Sequence, residues 1–223
     1  MQDAARGVTA DRPADRHAAV PPVRIFVAGA TGVLGSRILP LLTRAGHTVA
    51  GMTRSPEKAA LVRALGAEPV VCDVYDVATL TSAVERFQPD LLLHELTDLP
   101  DTAEELPARR AGNARIRVEG TRNLIDAATA SGCSRLFAQS VAWALPPGDG
   151  AAAVQALEDA VLGFGGVVLR YGQLYGPGTF YPDSAPGAPR IHVDAAAERT
   201  AAVLDQPRGI ITIAEHDDRG PAG

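Results

Sequence analysis

The chain has 223 residues, 46% of them hydrophobic, and a formal net charge of -5. That length suits one domain with a sizeable core, and the negative charge gives no electrostatic footing for nucleic acid. No apolar run is long enough to span a bilayer, which argues against a membrane protein.

Residues 1–22 are rich in Ala, Arg and Asp and have no apolar signal core. They read as a disordered leader ending at Pro21-Pro22, with 23–223 as a single domain. Val23 to Ala28 is an apolar run and the first expected strand. Leu34, Ile38, Leu41, Leu42 and Ala45 then recur at spacings of three and four, a helical pattern that stops at Gly46. Thr48 to Arg54 reads as strand two. Ser55-Pro56-Glu57 looks like a helix start, and that helix runs to Leu65. Pro69 to Val74 is strand three. Val77, Leu80, Val84 and Phe87 give the next helix one apolar face, and Leu91 to His94 is a short apolar strand four. After an acidic loop from Pro100 to Pro107, a long helix is expected from about Arg109 to Ala130. Arg135 to Ser140 is strand five, Ala152 to Leu162 a helix and Gly166 to Tyr171 strand six. Gly176 to Pro189 reads as loop, Ile191 to Leu204 bears a helix, and Gly209 to Ala214 is the last strand. Cys72 and Cys133 lie in or beside apolar segments and read as buried free thiols in a reducing cytoplasm.

Strands and helices thus alternate without an internal repeat. That pattern argues for a doubly wound parallel sheet of about seven strands, an α/β fold of the Rossmann type. Ligands of such sheets bind beyond the carboxyl ends of the strands, so the residues ending each strand matter most.

Gly29-Ala30-Thr31-Gly32-Val33-Leu34-Gly35 joins strand one to its helix. The first N–H groups of that helix lack internal partners and, with the helix dipole, suit a phosphate. Gly29 allows the tight turn, Gly32 close approach of a pyrophosphate, and Gly35 close helix packing. Thr31, Val33 and Leu34 complete the expected cofactor contacts of this turn. Strand two ends at Thr53-Arg54-Ser55, a cation flanked by two hydroxyls, with Lys58 a turn further on. An acid is usual there for NAD; a guanidinium suits the 2′-phosphate of NADP. NADP is therefore expected ahead of NAD, with Arg54 and Ser55 as contacts.

Residues Val23 to Gly35 resemble the start of an extended or atypical short-chain dehydrogenase/reductase, closest in style to NAD-dependent epimerases/dehydratases. Arg117-Val118-Glu119-Gly120-Thr121-Arg122-Asn123-Leu124-Ile125-Asp126-Ala127-Ala128 is similar to the family's Asn-x-x-Gly-Thr-x-Asn-Leu-Leu-x-Ala-Ala signature, with Arg117 in place of its first Asn. Leu169-Arg170 to Tyr175-Gly176-Pro177-Gly178 and Ile191-His192-Val193-Asp194-Ala195-Ala196 match two further family segments. The resemblance implies that Asp73 accepts from the adenine amino group, that Val74 packs on the ring, and that Leu96 and Thr97 line the ribose. His94 is expected to be structural. Glu95 is an unusual acid for its place, and faces either the sheet interior or the cleft.

The resemblance makes Ser140 the residue that bonds the reacting oxygen. It also requires a Tyr-x-x-x-Lys pair in the next helix, where the lysine lowers the pKa of the proton-donating phenol. Counting back from Glu158 puts Gly150 in the Tyr place and Val154 in the Lys place, and neither moves a proton. Tyr175 is the substitute acid within reach of the pattern. Relatives also carry a longer loop before Ile191 and a capping region after the last strand, so the substrate cap is expected to be reduced, leaving a site that is open or completed by a partner chain, as in a homodimer. The expected function is an NAD(P)-binding oxidoreductase or epimerase acting on a small molecule, with specialised metabolism as a setting and no metal site. Two alternatives stand: a non-catalytic dinucleotide-binding sensor or scaffold subunit, and a non-redox cyclase or dehydratase reusing the pocket.

Overall fold

The computed structural model describes residues 22–100 and 105–215; the expected leader lies outside them apart from Pro22. Seven parallel strands form the central sheet: β1 (Arg24–Ala28), β2 (Thr48–Thr53), β3 (Glu68–Val71), β4 (Leu91–His94), β5 (Leu136–Val141), β6 (Val167–Tyr171) and β9 (Gly209–Ile213). Their order across the sheet is β3-β2-β1-β4-β5-β6-β9, the doubly wound arrangement. The chain reverses direction across the sheet between β1 and β4, which pair in register from Ile25↔Leu91 to Ala28↔His94.

Alternation along the strands makes two cores. Ile25 and Val27 face one side, with α1 (Gly35–Arg44), α2 (Ala59–Ala64) and α7 (Val193–Ala202). Phe26 and Ala28 face the other, with α3 (Val77–Phe87), α5 (Thr121–Ala130) and α6 (Asp149–Phe164). Ile25, Phe26, Leu91, Leu92 and Leu93 have no exposed surface. Each such side chain contributes roughly 1.5–3 kcal/mol by burial, which is why these strands are apolar throughout. Asp76 caps α3 by accepting the Thr79 N–H at 3.2 Å.

Several boundaries differ from expectation, each for a local reason. The helix expected from Ser55 is a 3-10 turn at Pro56–Lys58 followed by α2, and Ser55 makes no side-chain cap. Cys72 to Val74 lie beyond β3, where Asp73 closes a turn on the Tyr75 N–H at 2.9 Å. The long helix comprises α4 (Leu106–Arg115), a π turn (Ile116–Gly120) and α5, with the Thr121 N–H bonding the Ile116 carbonyl five residues back. The segment read as loop between Gly176 and Pro189 is bracketed by a small parallel pair, β7 (Gln173–Tyr175) and β8 (Arg190–His192). Both cysteines are buried and free, and burial pushes the Cys72 thiol up to about 11. No helix among the described residues is long and apolar enough to cross a membrane.

Candidate functional site

The glycine turn lies at the reversal between β1 and β4. Gly29 has φ +94°, and a Cβ there would stand 2.7 Å from the Glu95 backbone. A side chain at Gly35 would collide with the Gly29 carbonyl oxygen, so α1 can start only on a glycine. Gly32 and Val33 are exposed, and the N–H groups of Val33 and Leu34 donate to nothing among the described residues. Exposed backbone without a Cβ at Gly32, free donors and a helix start together fit a pyrophosphate.

At the β2 end, the Thr31 and Thr53 hydroxyls pair at 3.2 Å, and Thr53 Oγ1 accepts the Ser55 N–H. Arg54 extends into solvent, yet it is not alone. Its Nη2 lies 3.6 Å from the Asp98 carboxylate, which also meets Arg109 at 3.8 Å. Asp98 is held in turn by its N–H, which donates to Asn113 Oδ1 at 3.2 Å. Asp73 is exposed beyond β3. Val74 is 4% exposed, and its carbonyl accepts from Asn123 Nδ2 at 2.9 Å, so this residue is packed chiefly into the protein.

At the β4 end, His94 and Glu95 point to opposite cores. His94 Nδ1 accepts the Leu96 N–H, leaving Nε2 to donate to Thr121 Oγ1 at 3.1 Å. Burial, aided by the charge of Arg117, lowers its pKa to about 4, so it is a neutral structural histidine. Glu95 is 5% exposed and lies beside Tyr171, whose hydroxyl is 3.1 Å from Oε1 and 2.6 Å from Thr200 Oγ1. Thr200 donates on to the Ala196 carbonyl. Burial raises Glu95 to about 8. A protonated Glu95 can therefore donate to Tyr171, Tyr171 to Thr200 and Thr200 to Ala196, each donor used once. Leu96 and Thr97 follow, half-buried, at the mouth of the crevice.

Ser140 is 2% exposed. Its hydroxyl donates to Glu158 Oε1 at 2.5 Å, and Arg170 clamps the same carboxylate through Nε at 2.9 Å and Nη2 at 2.5 Å. Burial opposes ionisation of Glu158, but the Arg170 and Ser140 bonds leave its pKa below the ordinary carboxylate value. In this arrangement the only proton of Ser140 is committed to a buried carboxylate on α6. Gly150 lies in the first turn of α6 and Val154 one turn on, half-buried. Tyr175 ends β7 with its hydroxyl donating to Glu215 Oε1 at 2.6 Å and its ring edge-on to His192 at 5.1 Å. That bond raises its pKa, which makes the phenol a weaker acid. The structure thus gathers Gly29 to Gly35, Arg54, Ser55, Asp73, Leu96 and Thr97 around the carboxyl ends of β1 to β4. Ser140 and Tyr175 stand in separate polar clusters. Asp98 gave no signal in the sequence, because its contact with Arg54 is made across the fold.

Residues 25–152 match the NAD dependent epimerase/dehydratase family. A Streptomyces sp 3-diazoavenalumate denitrifying reductase is 33% identical, over 90% of this chain and 78% of its own. Among solved structures, the Thermus thermophilus UDP-glucose 4-epimerase in complex with NAD is 21% identical, with a TM-score of 0.69 over 86% of this chain and 77% of that one. The Bordetella bronchiseptica enzyme WbmH in complex with NAD+ is 18% identical, with a TM-score of 0.67 over 86% and 75%. A glycine turn open to a pyrophosphate, a seven-stranded doubly wound sheet and these matches agree: the chain belongs to the NAD-dependent epimerase/dehydratase family, with an NAD(P)-dependent oxidoreductase- or epimerase-like function.

Proposed function

We propose that the protein is an NAD(P)H-dependent reductase, with NADP preferred, acting on a small molecule whose reduction requires a hydride but no proton from the protein. What supports this is the start of α6, where counting back from Glu158 puts Gly150 and Val154 in the places that the resemblance gives to a proton-donating tyrosine and its lysine. Reduction of a carbonyl leaves an alkoxide that must be protonated. A diazonium carbon makes no such demand. When it accepts a hydride, a C–H bond forms, the C–N bond breaks, and dinitrogen leaves with the bonding pair. The Streptomyces relative, named for reductive removal of nitrogen from a diazo compound, supports that substrate class.

In this reading a bound nicotinamide cofactor supplies the hydride. The chain's own part is to bind and orient. Gly29 to Gly35 hold the pyrophosphate, Arg54 and Ser55 the 2′-phosphate, Asp73 and Val74 the adenine, and Leu96 and Thr97 the ribose. Ser140 braces Glu158 behind the crevice, and Tyr175 lines its outer wall. A cytoplasmic location, where reduced cofactor and free thiols persist, fits this role. The test is to mix the protein with NADPH and an ortho-hydroxybenzenediazonium salt. Cofactor oxidation matched by dinitrogen release, and deuterium carried from labelled NADPH to the product carbon, are expected. Cofactor binding without turnover on this compound or on a carbonyl and sugar-nucleotide panel would reassign the chain as a non-catalytic dinucleotide binder.

A further inference from the structure

Five arginines among the described residues are half-buried: Arg37, Arg117, Arg135, Arg170 and Arg190. Four have partners within the protein. Arg37 pairs with Asp194 at 2.7 Å, Arg135 with the Leu204 carbonyl, Arg170 with Glu158 at 2.5 Å and Arg190 with Glu215 at 3.3 Å. Arg117 has no hydrogen bond, ion pair or aromatic ring facing it among the described residues. Every other described arginine without a partner is exposed. Burial lowers the pKa of Arg117, and no partner among the described residues offsets this partial desolvation.

The position is not arbitrary. Arg117 sits in the π turn between α4 and α5, a distortion that recurs at functional sites. Gly120 in the same turn packs on Val74, beyond β3, and the adjoining Thr121 bonds His94 at the end of β4. The π turn also packs against α6, the helix that begins with Gly150 and carries Val154. Arg117 is therefore level with the strand ends that form the crevice. It stands between them and the helix from which the expected lysine is missing.

We propose that Arg117 holds an anionic substrate, by pairing its guanidinium with a carboxylate on the side of the crevice away from the glycine turn. This rests on the reading of the crevice as a cofactor and substrate site. The cofactor's own phosphates have donors in the glycine turn and at Arg54, which leaves Arg117 for a second anion. A planar carboxylate matches the guanidinium fork.

The experiment uses trans-cinnamate and its neutral isostere cinnamamide, titrated calorimetrically into the NADP+-saturated protein. The wild type should bind cinnamate about ten to a hundred times more tightly, the range of a charge-assisted pair. Arg117→Met should bring that ratio close to one while binding NADP+ as the wild type does. Arg117→Gln, which keeps a polar head, guards against misfolding and should lose the preference too; Arg117→Lys should keep part of it. Equal binding of both probes by the wild type would overturn the proposal, as would a preference that survives in Arg117→Met or Arg117→Gln. If NADP+ fails to bind the wild type, the reading of the crevice falls, and the same comparison on the free protein still decides the role of Arg117.

Discussion

Glu95→Gln should remove the loss of stability that the Glu95 carboxyl brings as pH rises from about 5 to 8. Glu95 is 5% exposed, and its pKa rises from 4.5 to about 8 through burial, opposed by the Tyr171 hydroxyl. Between those values the folded chain keeps the proton and the unfolded chain releases it. Stability is therefore fully present below the unfolded value and is lost as pH rises through the folded one. At 1.36 kcal/mol per pH unit the loss approaches ~5 kcal/mol, with about 3 kcal/mol already gone by neutrality. A carboxamide N–H can still donate to Tyr171 and does not titrate, so the wild type should lose about that much stability relative to the variant over this range. His94 works in the other direction, since its folded value is depressed to about 4 and its contribution is lost in acid. It is present in both proteins and cancels from the difference. Urea unfolding at half-unit pH steps measures both curves. Parallel curves for wild type and variant would refute the buried, protonated state of Glu95.

Gly32→Asp should abolish NADP binding by calorimetry without unfolding the protein, because Gly32 is exposed and a carboxylate there repels the pyrophosphate. Arg54→Ala should weaken NADP by about one to two decades and NAD far less, read from paired titrations. Ser140→Ala should cost roughly 1.5–3 kcal/mol of stability in urea, since it strips a donor from the buried Glu158 carboxylate, while leaving NADP affinity unchanged. Tyr175→Phe should leave kcat within about two-fold on a diazonium substrate. A fall of about 10²–10⁴-fold would instead mark Tyr175 as a general acid.

The central sheet could be read from the chain because strands covered on both faces must be apolar, as Leu91-Leu92-Leu93 are. The glycine turn was equally visible, since the conformation at Gly29 and the contact at Gly35 are met only by that residue type. The direction of Ser140 was open to a period-two argument. Leu136, Ala138 and Ser140 share one face, and that face meets α6. The substrate role of Ser140 came from the resemblance and not from that pattern. The Arg54–Asp98 pair was out of reach, because nothing local in either residue marks a partner 44 positions away. Arg117 was visible as a departure from the signature. Its half-burial without a partner among the described residues was not, because burial belongs to the packed helix and not to the residue. The pairing of β7 with β8 escaped because strands of three residues carry too little pattern.

The π turn also bears on how chains of this fold should be aligned. Its wide turn holds one more residue than the α-helix it interrupts. Removing one residue between Arg117 and Glu119 would let this turn close as an ordinary α-turn, so the faces of the two halves would keep their relation while the residue count across them fell by one. Asn123 is fixed to the Val74 carbonyl, and Asn113 to the Asp98 N–H. Both could keep their places after such a deletion. The two halves thus behave as separately docked pieces joined by a spacer. A homologue without the extra residue would present its α4 side chains to the Asp98 loop from the same face, and gap-free residue counting across this helix would then pair positions that do not correspond in space.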